Sequence, residues 1–225
     1  MKTLGPIYAL ADSNLLFRRK KDGSVLLDDV VKYTGVQRPL VAYVGASNGD
    51  RPEFYSQIFQ SAIKQVEVGE THLIPAAPST QEWAFFEKAA IIVLAGGSVE
   101  AGWQAFARNG LRELLPKRFL EGAILVGISA GAVQLGRGGW SEQNGELLST
   151  FGLLPFYVGA HEEQEEWRSL RRVLDHKSAA RGIGLPTGTG IFYQAGELKP
   201  IGRQVVEFTI ADGHCLEAVL FSHDD

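Results

Sequence analysis

An α/β fold is what this sequence predicts: a doubly wound, mostly parallel sheet with helices on both faces and a β-rich C-terminal section. Three observations lead there. Up to Leu135, short continuous apolar runs alternate with helix-type patterns, as strands buried on both faces require. Two of those runs end in glycine-rich turns, at Gly96-Gly97 and at Gly127. From Gly190 onward, short apolar stretches separated by Gly-containing turns replace the helical spacing.

The elements follow in order along the chain. Residues 7–11 form a buried first strand; Gly5 and Pro6 interrupt the apolar stretch ahead of it, which argues against a signal peptide. The charge run Arg18 to Lys21 ends in Asp22-Gly23 and reads as a solvated turn. A second strand spans 40–44, after which Asp50, Pro52 and Glu53 have the pattern of a helix cap with proline and an acid in the first turn. Residues 73–74 belong to a third strand. Ser79-Thr80-Gln81-Glu82 is a capping box opening a helix with Trp83, Phe85 and Phe86. The fourth strand, 91–94, is followed by a helix over 101–109 that Gly110 ends. A fifth strand at 123–126 leads into a helix over 130–135. Trp167, Leu170, Val173 and Leu174 recur at helical spacing and predict an amphipathic helix over 164–176. Stretches 205–210 and 215–220 predict antiparallel strands.

Composition fits one domain over residues 1–225. The chain is 45% hydrophobic and 21% charged, with 12 Phe and 4 Trp, enough for a sizeable core without a metal or disulfide as a staple. Its single cysteine, Cys215, excludes an intramolecular disulfide and fits a reducing compartment. A net charge of -4 gives no electrostatic reason to expect nucleic acid. No window approaches the roughly 20 apolar residues of a membrane span, so the expected location is the cytoplasm. Oligomeric state is left open, a homodimer being one option.

The strongest chemical signal is Gly127-Ile128-Ser129-Ala130-Gly131-Ala132, between a predicted strand and a predicted helix. A serine on so sharp a turn adopts strained backbone, and flanking glycines let neighbouring chain pack close. The N–H of Ala130, at the start of the helix, can bind a developing oxyanion. The competing reading is a glycine-rich turn for a phosphate or cofactor; the strand-turn-helix context favours the nucleophile. Gly97, in the turn Leu94-Ala95-Gly96-Gly97-Ser98, ends another parallel strand and is a candidate second oxyanion donor.

A serine hydroxyl needs a base, most often histidine. His72 stands at a strand start, His176 at a helix end, His214 in a hairpin turn and His223 in the C-terminal tail. His161 follows the apolar segment 153–160, at a strand end, and is the candidate base. The acid is less obvious. Glu142, Glu146 and the cluster Glu162, Glu163, Glu165 and Glu166 all lie in the right half, and the cluster reads most simply as solvation of a helix's first turn. His161 and Glu165 have i, i+4 spacing but no further ligand, so no metal is expected.

These residues together resemble the peptidase E and cyanophycinase group of serine peptidases, an α/β fold related to class I glutamine amidotransferases. The resemblance runs through Tyr43-Val44-Gly45-Ala46-Ser47-Asn48-Gly49-Asp50, the turn at Gly96-Gly97, the elbow, Gly152-Leu153-Leu154-Pro155, His161, and Gly182-Ile183-Gly184-Leu185-Pro186. It implies Ser129 as nucleophile, His161 as general base, and the Gly97 and Ala130 N–H groups as oxyanion hole. It implies a small peptide substrate, with an aspartyl or isoaspartyl residue on the acyl side, and no cofactor. Glutamine amidotransferases carry cysteine at this elbow, whereas this chain has serine. Two positions depart from the group. A glutamate that completes the triad after Gly-Leu-Pro is here Thr187, which leaves Glu142 and Glu146 as the expected acids, or else a non-catalytic binding protein. The segment after His161 is unusually acidic, and Arg168, Arg171 and Arg172 are either substrate-carboxylate partners or solvated helix charges.

Overall fold

Side-chain alternation within each short strand decides how the layers assemble. In a computed structural model, which describes residues 4–211 and 213–222, the strands are β1 (Ile7–Leu10), β2 (Val41–Val44), β3 (Thr71–Ile74), β4 (Ile91–Leu94) and β5 (Ile124–Ile128), then β6 (Gly138–Ser141), β7 (Glu146–Ser149), β8 (Tyr157–Ala160) and β9 (Ala180–Leu185), and last β10 (Gly190–Gln194), β11 (Glu197–Ile201), β12 (Gln204–Ala211) and β13 (His214–Phe221). The helices are α1 (Leu26–Thr34), α2 (Gln60–Ile63), α3 (Thr80–Phe86), α4 (Val99–Asn109), α5 (Leu111–Leu120), α6 (Ala130–Leu135) and α7 (Arg168–Asp175).

Among the described residues, β11-β10-β1-β5-β4-β2-β3 form a seven-stranded sheet. The five strands from β1 to β3 in that order are mutually parallel, and β10 and β11 add antiparallel at the β1 edge. Odd and even positions of these strands feed two separate cores. Ile7, Ala42, Ile92 and Leu94 pack with Phe86, Phe106 and Leu115 from α3, α4 and α5. Tyr8, Val41, Ile91 and Val93 pack with Leu27, Val30, Phe59 and Ile63 from α1 and the helix ending in α2. Both faces are therefore dry, which explains the unbroken apolar runs in the sequence.

A second sheet, β13-β12-β9-β8, is covered by α7, whose Leu170, Val173 and Leu174 meet Phe208 and Ile210. The β-rich C-terminal section is thus divided: β10 and β11 extend the main sheet, while β12 and β13 extend the pair β8–β9. β6 and β7 form a separate hairpin.

Several local expectations are met. Ser79 caps α3 in a reciprocal box with Glu82, and Gly110 ends α4 at φ 84°. Three are revised. The helix expected over 164–176 begins only at Arg168, because Glu166 and Trp167 take left-handed backbone at φ 53° and 61°. Asp50 caps no helix: its carboxylate accepts from the Ala76 N–H at 2.8 Å, tying the end of β2 to the end of β3. The fifth strand runs on to Ile128, directly against the elbow. Met1, Lys2, Thr3, Asp212 and His223 lie outside the described residues. Among the described residues, no helix is long and apolar enough to cross a membrane.

Candidate active site

β5 delivers Ser129 at its C-terminal end, where the chain turns sharply into α6. Ser129 has φ 50° and ψ -110°, a region L-residues avoid unless the surroundings enforce it. Here they do. The Ser129 N–H donates to the Leu10 carbonyl at 2.8 Å, and its own carbonyl accepts from Ala132 and Val133. The flanking glycines are required by close approach: a Cβ on Gly127 would stand 2.6 Å from the Gly131 carbonyl carbon, and one on Gly131 would run into the main chain of Leu94.

β8 delivers His161. Ala160 pairs with Leu185 of β9, and the His161 N–H continues the ladder to the Leu185 carbonyl at 2.8 Å. The chain then turns back through left-handed backbone at His161, φ 48°. This turn aims the ring at the other sheet, with Nε2 2.7 Å from Ser129 Oγ. The two sheets are locked in register by the chain between them. The Arg137 N–H donates to Phe156 and the Leu154 N–H to Leu135, at 3.1 and 2.9 Å. The helix that starts at Ser129 thus ends on the segment that leads to His161.

Gly97 and Ser129 line the same cavity. Gly97 has φ 131°, and any Cβ there would collide with the Ser47 carbonyl, so only glycine fits. As the first residue of α6, Ala130 has an N–H with no intrahelical acceptor. The two donors expected for an oxyanion accordingly lie on the turns after neighbouring strands β4 and β5.

The expected acids are elsewhere. Glu142 turns both carboxylate oxygens to Arg172 at 3.2 Å, and Glu146 lies exposed on β7; neither hydrogen-bonds His161. Thr187 donates its N–H to Glu163 Oε1 at 3.1 Å. The Glu163 carboxylate is what sequence reasoning assigned to helix solvation. Its partial burial pushes the carboxyl up, but hydrogen bonds from its own main chain and from Thr187, with the charge of nearby His161, outweigh that and hold it below its ordinary range. It lies two residues after His161, on a short turn over Glu163–Glu165 that the sequence did not mark. Asp12 supports the arrangement from below: its carboxylate accepts from Gly188 at 2.6 Å and fixes the turn that carries Thr187. Glu165 pairs with Arg168 rather than with the imidazole.

Two of the other described histidines stack on aromatic rings. His72 stacks on Phe85, 3.9 Å between centroids, and His176 stacks on Trp140 at 5.4 Å. His214 opens β13.

Beside the Ser129–His161 pair is a cavity of about 230 Å³. Its wall includes Tyr43, whose hydroxyl accepts from the Asn48 amide at 3.2 Å. Burial pushes that hydroxyl up to about 12 against the hydrogen bond, so it stays neutral.

The family model described as Peptidase family S51 matches residues 9–201. A curated relative, the uncharacterized peptidase YgaJ of Bacillus subtilis (strain 168), is 22% identical over 185 residues, 79% of each chain. Among solved structures, a peptidase from an acI-B1 actinobacterium superposes with a TM-score of 0.72 at 17% identity, covering 98% of this chain and 96% of that one. A putative peptidase E protein from Listeria monocytogenes EGD-e gives 0.65 at 15% identity, covering 88% and 98%. At these identities the two structures speak for the fold.

Proposed function

The chain belongs to peptidase family S51, a family of serine peptidases, and on that premise we propose that it hydrolyses an amide bond of a small peptide through an acyl-Ser129 intermediate. The observation that carries the reading is the 2.7 Å contact between Ser129 Oγ and His161 Nε2. In the first step Nε2 accepts the hydroxyl proton while Oγ bonds to the substrate's carbonyl carbon. The carbonyl oxygen becomes anionic and takes hydrogen bonds from the Gly97 and Ala130 N–H groups. Collapse breaks the C–N bond, and the imidazolium gives its proton to the leaving nitrogen. Water then attacks the ester with His161 again as base, releasing the acid and restoring Ser129.

Each cycle makes the imidazole cationic, and a nearby anion lowers the cost. Glu163 supplies that anion in this reading, and Thr187 holds the carboxylate where relatives carry one of their own. The hydrogen bond between the two is the support for it. Thr187 therefore no longer favours a non-catalytic binding protein.

A fluorophosphonate probe tests the chemistry directly. We expect one adduct, on Ser129 by peptide mapping, and none on Ser129→Ala, whose peptide turnover should fall by about 10⁴-fold or more. A folded wild-type protein that forms no adduct would end the proposal.

A further inference from the structure

The cavity beside Ser129 has walls that sort substrates. Leu16, Tyr43, Phe54, Ile58, Phe59 and Ile128 supply its apolar surface, and three of the six come from a π-helical stretch, Phe54–Phe59. Such wide turns are rare and are found most often at functional sites. Here the extra residue per turn belongs to the wall of the reacting centre. The side-chain polar groups on its wall include an unpaired acceptor, the buried Asn48 Oδ1, and the Asp12 carboxylate. The Tyr43 hydroxyl and Asn48 amide bond to each other, and the Asp12 carboxylate accepts from the Asn14 and Gly188 N–H groups.

No lysine or arginine is among the described residues lining it. The three arginines that the sequence offered as carboxylate partners are engaged elsewhere. Arg168 pairs with Glu165, Arg171 with Glu217 and Arg172 with Glu142. A substrate carboxylate entering this cavity would lose its water, meet no lysine or arginine and approach Asp12. Each of these disfavours it. An apolar side chain meets none of these costs and gains the burial.

When Ser129 Oγ is bonded to a carbonyl carbon, the side chain one atom further along must lie against the walls adjoining Ser129. We propose that this cavity receives the acyl-side residue of the substrate and selects a large aliphatic or aromatic side chain over an aspartyl one. A volume of about 230 Å³ suits one such side chain and not a longer stretch of peptide. The inference rests on Ser129 and His161 acting as proposed above.

Diphenyl esters of α-aminophosphonates test it without knowledge of the natural substrate. Ser129 Oγ attacks phosphorus, phenoxide leaves, His161 passes on the hydroxyl proton, and the adduct is read by intact mass. The phenylalanine and leucine analogues should inactivate the protein roughly 100-fold faster than the aspartate analogue. Phe54 is the most exposed of the apolar wall residues, at 36%, so Phe54→Arg should fold. It should narrow the ratio at least tenfold by slowing the first two and speeding the third. Equal rates for all analogues, or a faster aspartate analogue, alongside a normal fluorophosphonate adduct, would overturn the selectivity and leave the serine chemistry standing. Absence of any adduct, the fluorophosphonate's included, would overturn both.

Discussion

Ser129 and His161 sit on different sheets, and the two sheets hold them by different kinds of contact. Around Ser129 the packing is main chain on main chain. The approach at Gly127 is to the carbonyl of Gly131, and the approach at Gly131 is to Leu94. Around His161 the glycines of the second sheet face side chains instead. A Cβ on Gly184 would meet the Trp167 ring at 2.8 Å, one on Gly159 the Leu170 Cβ at 3.0 Å, and one on Gly182 the Leu174 Cδ1 at 2.9 Å. A backbone contact cannot be relieved without moving a strand, whereas a side chain can turn. Ser129 is held in a rigid frame, and His161 in a frame that can adjust.

The sharpest way to break this comparison is Gly127→Ala. Its methyl group has nowhere to go, so we expect a loss of about 3 kcal/mol in urea unfolding and roughly a 100-fold fall in turnover. A variant with wild-type stability and activity would remove the rigid half of the contrast. Next in size is Glu163→Gln, which keeps the shape of the His161 side and removes its charge. Because the carboxylate is exposed and not bonded to the ring, kcat should fall only about tenfold, with KM little changed. The same variant has a pH signature. A carboxyl held below its ordinary value in the folded protein stabilises the fold above the unfolded pKa, and that contribution disappears as pH falls through the lower folded value. The Tm difference between wild type and Glu163→Gln should be about 1–2 °C at pH 7 and close below roughly pH 4. A difference that grows in acid would reverse the sign assigned to Glu163. The smallest effect belongs to Gly184→Ala. The Trp167 ring can shift, so the cost should be about 1 kcal/mol with turnover within a few-fold of wild type. A loss matching that of Gly127→Ala would erase the distinction between the sheets.

The same contrast governs what could be read in advance. The elbow was legible because its strain is encoded locally, in glycines two positions on either side of Ser129. The capping box at Ser79 and Glu82 and the apolar runs of β1, β2 and β4 are equally local. The role proposed for Glu163 depends on a left-handed turn at His161 and on a partner, Thr187, 24 positions away, and neither has a sequence signature. Helix α7 was expected four residues early because Gln164 and Glu165 suit a helix. The break comes at Glu166 and Trp167, which take left-handed backbone, with the Trp167 ring buried against Gly184. The cavity is built from the ends of β1, β2 and β5 and a π-helical stretch, so its apolar character emerges only when those segments meet.

Between Ser129 and His161 the chain makes an excursion whose two ends coincide. It departs at Gly136 and comes back to the same residue, where the Gly152 N–H donates to the Gly136 carbonyl at 2.7 Å. The hairpin of β6 and β7 between them, with its tip at 142–145, is closed by that clasp and leans on α7 and the residue after it, where Glu142 pairs with Arg172 and Trp140 stacks on His176. Lengthening or trimming such a tip costs little loop entropy and leaves residues 129 and 161 where they are. Changes at that tip can therefore reshape the neighbouring rim, where Glu142 stands, while the Ser129–His161 contact stays as it is.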